Sequence, residues 1–279
     1  MQKFTIYTAE SKVRDLKSVF KSMFYGLYSG RYLAYRLFVK DIKGEYSTSV
    51  CGVLWDFLEP IILAVIFIIL RGAKIINEGD INIPYGVYVV YGIFIWTTFT
   101  EAILSPLDVI KRSKTLLTQV QIPSESLILS LFYKVLFNSM FRIVVLLIIS
   151  VYMGAFSFIG FFKFLVLFPS IILVGMSIGV FLAPLNTIYH DVGRIVRISL
   201  RPLFYASPVL WAIPKISLLK FLNSINPVAI VLNNLRSLAT QNVFFDQATF
   251  IMTLSILMLL LLLGWFVFHL SIPILSDKV

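Results

Sequence analysis

Long apolar runs alternating with short polar, mostly basic stretches set the plan of this chain. Six such runs can be followed, at 52–70, 86–104, 127–153, 164–185, 198–213 and 250–272. Most approach the roughly 20 residues a helix needs to cross the hydrocarbon of a bilayer. The pattern therefore predicts an all-α polytopic membrane protein with six transmembrane helices, organised as a single domain over 1–279. The fifth run is the weakest, being short and interrupted by Pro202 and Pro208. Proline is tolerated inside buried membrane helices, where neighbours satisfy the freed backbone groups.

Two stretches have a different periodicity. Between 31 and 47, Tyr35, Phe38, Val39, Ile42 and Tyr46 recur at helical spacing, while Arg36, Lys40 and Lys43 fall on another face. Aromatics on one side and cations on the other suit a helix lying in the membrane surface. An N-terminal amphipathic interface helix is expected there, within a cytoplasmic segment 1–51; a plain anchor is the alternative. Between the fifth and sixth runs, 214–247 holds two short amphipathic stretches, Ser217–Ile225 and Val228–Thr240, separated by Asn226-Pro227. Proline at the first helical position fits the second start. The expectation is a re-entrant helical hairpin on the outer side, against an ordinary loop.

Composition agrees with the membrane class. Hydrophobic residues make up 59% and charged residues 14%, with a mean hydropathy of +0.91, far from the roughly half-apolar, quarter-charged mix of soluble domains. A net charge of +10 would suggest nucleic acid in a soluble chain. Here its distribution marks orientation instead, and no nucleic-acid partner is expected. Sixteen Lys and Arg residues lie on one side: nine before the first run, then Lys111, Arg112, Lys114, Arg194, Arg197, Arg201 and Lys278. Six lie on the other: Arg71, Lys74, Lys163, Lys215, Lys220 and Arg236. The positive-inside rule puts both termini in the cytoplasm. No apolar core of a cleavable signal peptide is visible in the first 30 residues.

Groups capable of chemistry are sparse. The ionisable residues in or near the apolar runs are Asp56, Glu59, Glu101, Asp108, Lys134, Arg142, His190 and His269. Such groups are costly in hydrocarbon and are functional candidates by default. Neither histidine belongs to a metal-ligand spacing, and the single Cys51 excludes an internal disulfide or a multi-cysteine metal site. No metal site and no catalytic residue are expected. The chain also lacks a Gly-x-x-x-x-Gly-Lys-Ser/Thr loop. Any ATP and Mg used in transport would belong to a separate subunit.

Several motifs carry a family resemblance. The run Asp41-Ile42-Lys43, Tyr46, Ser49, Gly52-Val53-Leu54-Trp55, Leu58-Glu59-Pro60 resembles the segment with which ABC-2-type polysaccharide exporter permeases enter the membrane. Leu116-Leu117 followed by Ile122-Pro123 and Glu125 is similar to their first cytoplasmic loop, Asn186 through Asp191 to the second, and Tyr205-Ala206-Ser207-Pro208-Val209 to the fifth span. Asn226-Pro227 falls where the family begins its second outer gate helix. The resemblance covers nearly the whole chain. One departure is His190, where many relatives carry Arg before the Asp, which puts a salt-bridge role for that position in doubt.

The resemblance implies a homodimer of six-span subunits in the bacterial inner membrane, paired with two copies of a cytoplasmic ABC ATPase. Its cargo would be lipid-linked polysaccharide, O-antigen or capsule; a teichoic-acid exporter of the same fold is the alternative. Membrane lipids and periplasmic export proteins are further implied partners. The two inner loops would couple to the ATPase through Arg112, Lys114, Pro123, Glu125, His190, Asp191 and Arg194; solvated loop charges are the alternative. Aromatic residues reach 15%, and sugar rings stack their C–H faces on such rings. The family lines its tunnel with spans one and five, which nominates Trp55, Phe67, Phe204, Tyr205 and Trp211; interfacial belts are the alternative. Rival classes are a lipid or drug exporter of the same fold, a membrane-embedded glycosyl- or acyltransferase, and a plain channel or scaffold.

Overall fold

The helix around which the others assemble is α3 (Tyr85–Leu107), buried along most of its length. In the computed structural model, which describes residues 16–46, 55–74, 81–119, 122–212 and 217–276, every regular element is a helix. Before α3 come α1 (Leu16–Tyr46) and α2 (Trp55–Gly72). After it follow two short turns of helix, α4 (Val109–Arg112) and α5 (Lys114–Gln119), then α6 (Ser124–Tyr152), α7 (Phe158–Leu167) and α8 (Pro169–Ile188). The chain ends with α9 (His190–Ala206), α10 (Ser217–Ile225), α11 (Pro227–Gln241) and α12 (Gln247–Ser276). Around α3 pack α2, α6, α8, α9 and α11, while α12 covers the far side of α8.

Four segments are long and apolar enough to cross a membrane: Tyr85–Leu107, Ser124–Tyr152, Phe158–Ile188 and Gln247–Ile272. They correspond to the second, third, fourth and sixth apolar runs. The third of them is α7 and α8 together. Pro169, at the first position of α8, has no N–H to continue the ladder and leaves a joint at Phe168. The first run forms α2, in which Pro60–Gly72 is a shorter apolar helix among the described residues. The fifth run differs more from expectation. Its helix begins at His190, within the basic inner loop, and stops at Ala206. Ser207 turns extended there, with φ −91° and ψ 154°, because the residue before a proline is pushed out of the helical region.

Lipid tails are as apolar as the side chains, so close packing of small residues must hold such helices together. One such contact joins α8 to α3. A Cβ on Gly175 would lie 2.5 Å from the Cβ of Ala102, and one on Gly179 would lie 2.5 Å from the Ile103 carbonyl oxygen. The Gly-x-x-x-Gly spacing of 175 and 179 puts both gaps on one face of α8. Gly92 makes a similar gap on α3, where the Val209 carbonyl sits 2.2 Å from the place a Cβ would take.

Two amphipathic elements flank this core. α1 is longer than the expected 31–47 segment, starting at Leu16. It packs along α6, burying Val19, Met23 and Ala34. Tyr25, Tyr28, Tyr32 and Tyr35 stand exposed along another face, and Arg36, Lys40 and Lys43 are exposed as well. The two short amphipathic stretches of the 214–247 segment are helices α10 and α11. Asn226 caps the second, its side chain accepting from the Val228 N–H, and Pro227 takes the first helical position. Asn242 ends that helix in the left-handed region, φ 55°, which asparagine tolerates.

Gly179→Val should drive a branched side chain into the Ile103 carbonyl and part α8 from α3. Overpacking of this kind costs ~1–3 kcal/mol, more where backbone must yield. The purified variant should lose monodispersity several degrees below the parent in a thermal size-exclusion series. Coincident curves for variant and parent would contradict the close contact.

Candidate functional site: a groove between α2, α3 and α9

A carboxylate and a guanidinium from two of the apolar runs meet each other. Arg142 of α6 lies 2.7 Å from the Glu101 carboxylate of α3, and both are largely buried. Asn138 donates to the other Glu101 oxygen at 2.6 Å, and Arg142 also donates to Thr98 Oγ1 at 3.1 Å. An isolated charge in such a place would be neutralised or expelled; paired, it is retained. In sequence, Glu101 has no charged neighbour. Its partner is 41 positions away, so only packing reveals it.

Arg142 forms one wall of an open groove of about 1100 Å³. Leu58, Ile62 and Ile66 of α2 form a second wall, Trp96, Thr97 and Thr100 of α3 a third, and Arg197, Arg201, Phe204 and Tyr205 of α9 a fourth. The groove is therefore apolar on one side, aromatic on the other and cationic at the Arg197 and Arg201 end. Phe204 meets Trp96 edge-on at 5.5 Å. Tyr205 is 53% exposed, meets Phe204 edge-on at 5.1 Å and stacks on Trp211 at 6.3 Å with the rings 23° apart.

Of the five aromatic residues nominated from sequence, Phe204 and Tyr205 line the groove. Phe204 is mostly buried against Trp96, so the ring offered to the open space is that of Tyr205. Trp211 stands behind Tyr205, and Phe67 packs on the bundle core instead. Trp55 opens α2, but its side chain lies outside the described residues, as does segment 47–54. Trp96 was not singled out by the sequence pattern. It sits inside a continuous apolar run whose periodicity assigns it no special face.

The inner-loop residues divide into two groups. Arg112, Lys114, His190, Asp191 and Arg194 are exposed, and Pro123 is half-buried. Arg112 donates back to the Ser105 carbonyl at 2.9 Å, and Asp191 stands 3.9 Å from Arg194 in a solvated pair. Glu125 behaves differently. It is 1% exposed at the start of α6, and its carboxylate accepts from His269 of α12 at 2.6 Å and from the Ser124 hydroxyl at 3.1 Å. Ser22 of α1 reaches the other ring nitrogen of His269 at 3.2 Å. Glu125 thus joins α1, α6 and α12 and presents no carboxylate to a partner's surface.

A buried asparagine holds the ends of α3 and α8 to the start of α9. Asn186, at the end of α8, donates to the Leu107 carbonyl at 2.7 Å and accepts from the Gly193 N–H at 2.8 Å. Asp108 of the first loop pairs with Arg197 of the second. These contacts join the two loops to each other and to α9, which carries Arg201 and Tyr205. No cluster of residues able to hold a metal ion occurs among the described residues.

Comparison with known proteins decides the family. The model of the ABC-2 type transporter family matches residues 32–240. The chain belongs to the ABC-2 type transporter family. Among curated proteins it is similar to the O-antigen export system permease protein RfbA of Myxococcus xanthus, 26% identical over 227 residues that cover 79% of this chain and 83% of that protein. Two proteins of the same description from Klebsiella pneumoniae are each 22% identical over 178 residues, covering 62% of this chain and 66% of their own length. The match takes in α2, α3 and α9, so the groove lies wholly within the part of the chain that defines this ABC-2 transporter as a family member.

Arg142→Leu alone should strand the Glu101 carboxylate and destabilise the protein by about 3–5 kcal/mol. Adding Glu101→Leu should recover most of that loss, since a well-packed apolar pair replaces the ion pair. Thermal unfolding of the two single variants and the double variant in one detergent measures the coupling. Additive losses would contradict the pairing.

Proposed function

We propose that this chain is the membrane-spanning permease subunit of an exporter that moves lipid-linked polysaccharide, O-antigen or capsule, across the bacterial inner membrane. ATP would be hydrolysed by a separate cytoplasmic ABC subunit. The observation that carries the reading is the groove: an open, aromatic and cationic path beside the most buried helix of a family transporter. Tyr205, Phe204 and Trp96 offer ring faces and edges to sugar C–H faces, and threonines on α3 offer hydroxyls. Such contacts are weak and repeated, which suits a polymer that must slide. Arg142 and Arg197 are paired with Glu101 and Asp108, which leaves Arg201 as the groove cation for an anionic linkage group between glycan and lipid.

The groove is open along one side, and α2 carries exposed Ile61, Ile62, Val65, Ile66 and Ile69. A second copy of the chain facing this side would close the path and cover that apolar surface. In this reading α2 and α9 supply the first and fifth of six crossings, completed in the dimer. α1 lies at the inner surface with its tyrosines toward lipid, and α10 and α11 form a re-entrant gate on the outer side. Both termini face the cytoplasm, a placement the Lys and Arg distribution supports. The ATPase docks on Arg112, Lys114, His190, Asp191 and Arg194. Its movements reach α9 through Asn186 and the Asp108–Arg197 pair.

Tyr205→Ala should lower surface polysaccharide per unit of membrane protein roughly two- to tenfold, the size of a lost ring contact of ~0.5–1.5 kcal/mol. Tyr205→Phe should export at nearly the parent level, because stacking uses the ring face. Equal export by Tyr205→Ala and the parent would overturn the path. Purified alone, the chain should show no ATP hydrolysis, and turnover of roughly 1 per second by the lone chain would overturn the division of labour.

A further inference from the structure

Beyond the groove, the opposite end of α3 opens into a separate cavity of about 500 Å³. Its walls are the 81–83 loop, the start of α3, the α10–α11 pair and the start of α12. At its base lies Arg236 of α11, 5% exposed. Among the described residues this guanidinium has no carboxylate partner. It donates instead to the Pro208 carbonyl at 2.9 Å and to Asn233 Oδ1 at 2.6 Å, and it lies 3.4 Å over the Tyr88 ring. A buried cation held only by neutral acceptors and a π face is a rigid donor platform.

The lining above that platform is rich in amides. Asn82 and Gln241 have no hydrogen-bond partner for their side chains among the described residues, and the Asn233 amide nitrogen has none either. Asp246 stands at the exposed rim. Hydrogen bonds from the Thr249 side chain and backbone hold its carboxyl below the usual range, so it is an ionised acceptor at neutral pH. The Phe245 ring, well exposed, borders the same space. Planar amides, one carboxylate and a ring face are the groups that match the hydroxyls and C–H faces of a sugar. A phosphate headgroup would call for several free cations, and among the described residues this cavity has a single guanidinium already committed to three groups. The volume falls within the range of small-molecule sites.

We propose that this cavity is a saccharide-binding site at the outer face of the protein, taking a few sugar units of the glycan as it leaves the path. The assignment rests on the reading of the chain as a glycan exporter. The site is wired to the groove. Tyr88 and Arg236 both bond the Pro208 carbonyl, and the Tyr88 hydroxyl also donates to the Trp211 carbonyl at 2.9 Å. Those carbonyls belong to the turn that follows Tyr205, whose ring stacks on Trp211. A sugar held over Arg236 therefore bears on the far end of the groove, where it opposes back-sliding of the chain.

The test uses the full-length protein with its ATPase in nanodiscs. The probe is surface polysaccharide from the strain that carries this chain, freed of its lipid by mild acid. The double variant Asn82→Ala/Gln241→Ala removes two uncommitted amides and no internal bond. It should bind the probe about tenfold or more weakly than the parent, while Tyr205→Ala binds within about twofold. No binding by the parent, or equal binding by parent and double variant, overturns the outer site. So does displacement of the probe by dioctanoyl-phosphatidylglycerol, which would make the cavity a lipid-headgroup site. The export assay on Tyr205 is independent of all three results, so failure of this site leaves the exporter reading standing on its own test.

Discussion

Burial of α3 in an apolar medium is the constraint on which the rest of this structure depends. Water drives no helix onto it inside a bilayer, so its neighbours must be held by contact distance and by polar ties. Gly175 and Gly179 bring α8 within backbone contact of Ala102 and Ile103. Arg142 ties α6 to Glu101, and Asn186 ties the end of α8 to Leu107. At the other end, Gly92 lets the Val209 carbonyl approach, and the Tyr88 hydroxyl holds the same turn through Pro208 and Trp211. The groove lies along one side of α3 and the second cavity at its end.

The placement of charge follows the same logic. Arg142 and Glu101 are deep and paired, whereas Arg112, Lys114, Asp191 and Arg194 are exposed. Glu125 sits among the inner-loop residues in sequence but turns inward to His269, joining the N-terminal helix to the last one. In the proposed orientation the inner face is thus a set of solvated charges on a scaffold of buried polar joints. Joints of this kind are stiff, since breaking one leaves a buried group unsatisfied. That stiffness suits the proposed role of passing on an ATPase's motion.

Much of this architecture was legible in the residue pattern. Apolar runs of membrane length located α3, α6, α7–α8 and α12, because length and hydropathy are local properties. Asn226-Pro227 located the start of α11 for the same reason: a side-chain cap and a fixed φ act within a few residues. The fifth run was harder to delimit. Its helix draws on the basic residues before it as well as the apolar ones, so a hydropathy window begins too late, while Pro208 ends it earlier than the window does. Tyr205 was readable beside Ser207-Pro208, but Trp96 was not, since nothing local separates it from its apolar neighbours. The Arg142–Glu101 and Glu125–His269 pairs join residues far apart in the chain and become visible only when the helices are packed.

The claim at the centre of this account is that glycan passes along the groove between α2, α3 and α9. A photo-reactive phenylalanine at position 205, compared with one at Ile148 on the exposed face of α6, addresses it directly in cells that synthesise the polysaccharide. Illumination should join glycan to the chain at position 205 and lipid at position 148. Glycan adducts at 148 with none at 205, in proteins of equal abundance, would contradict it.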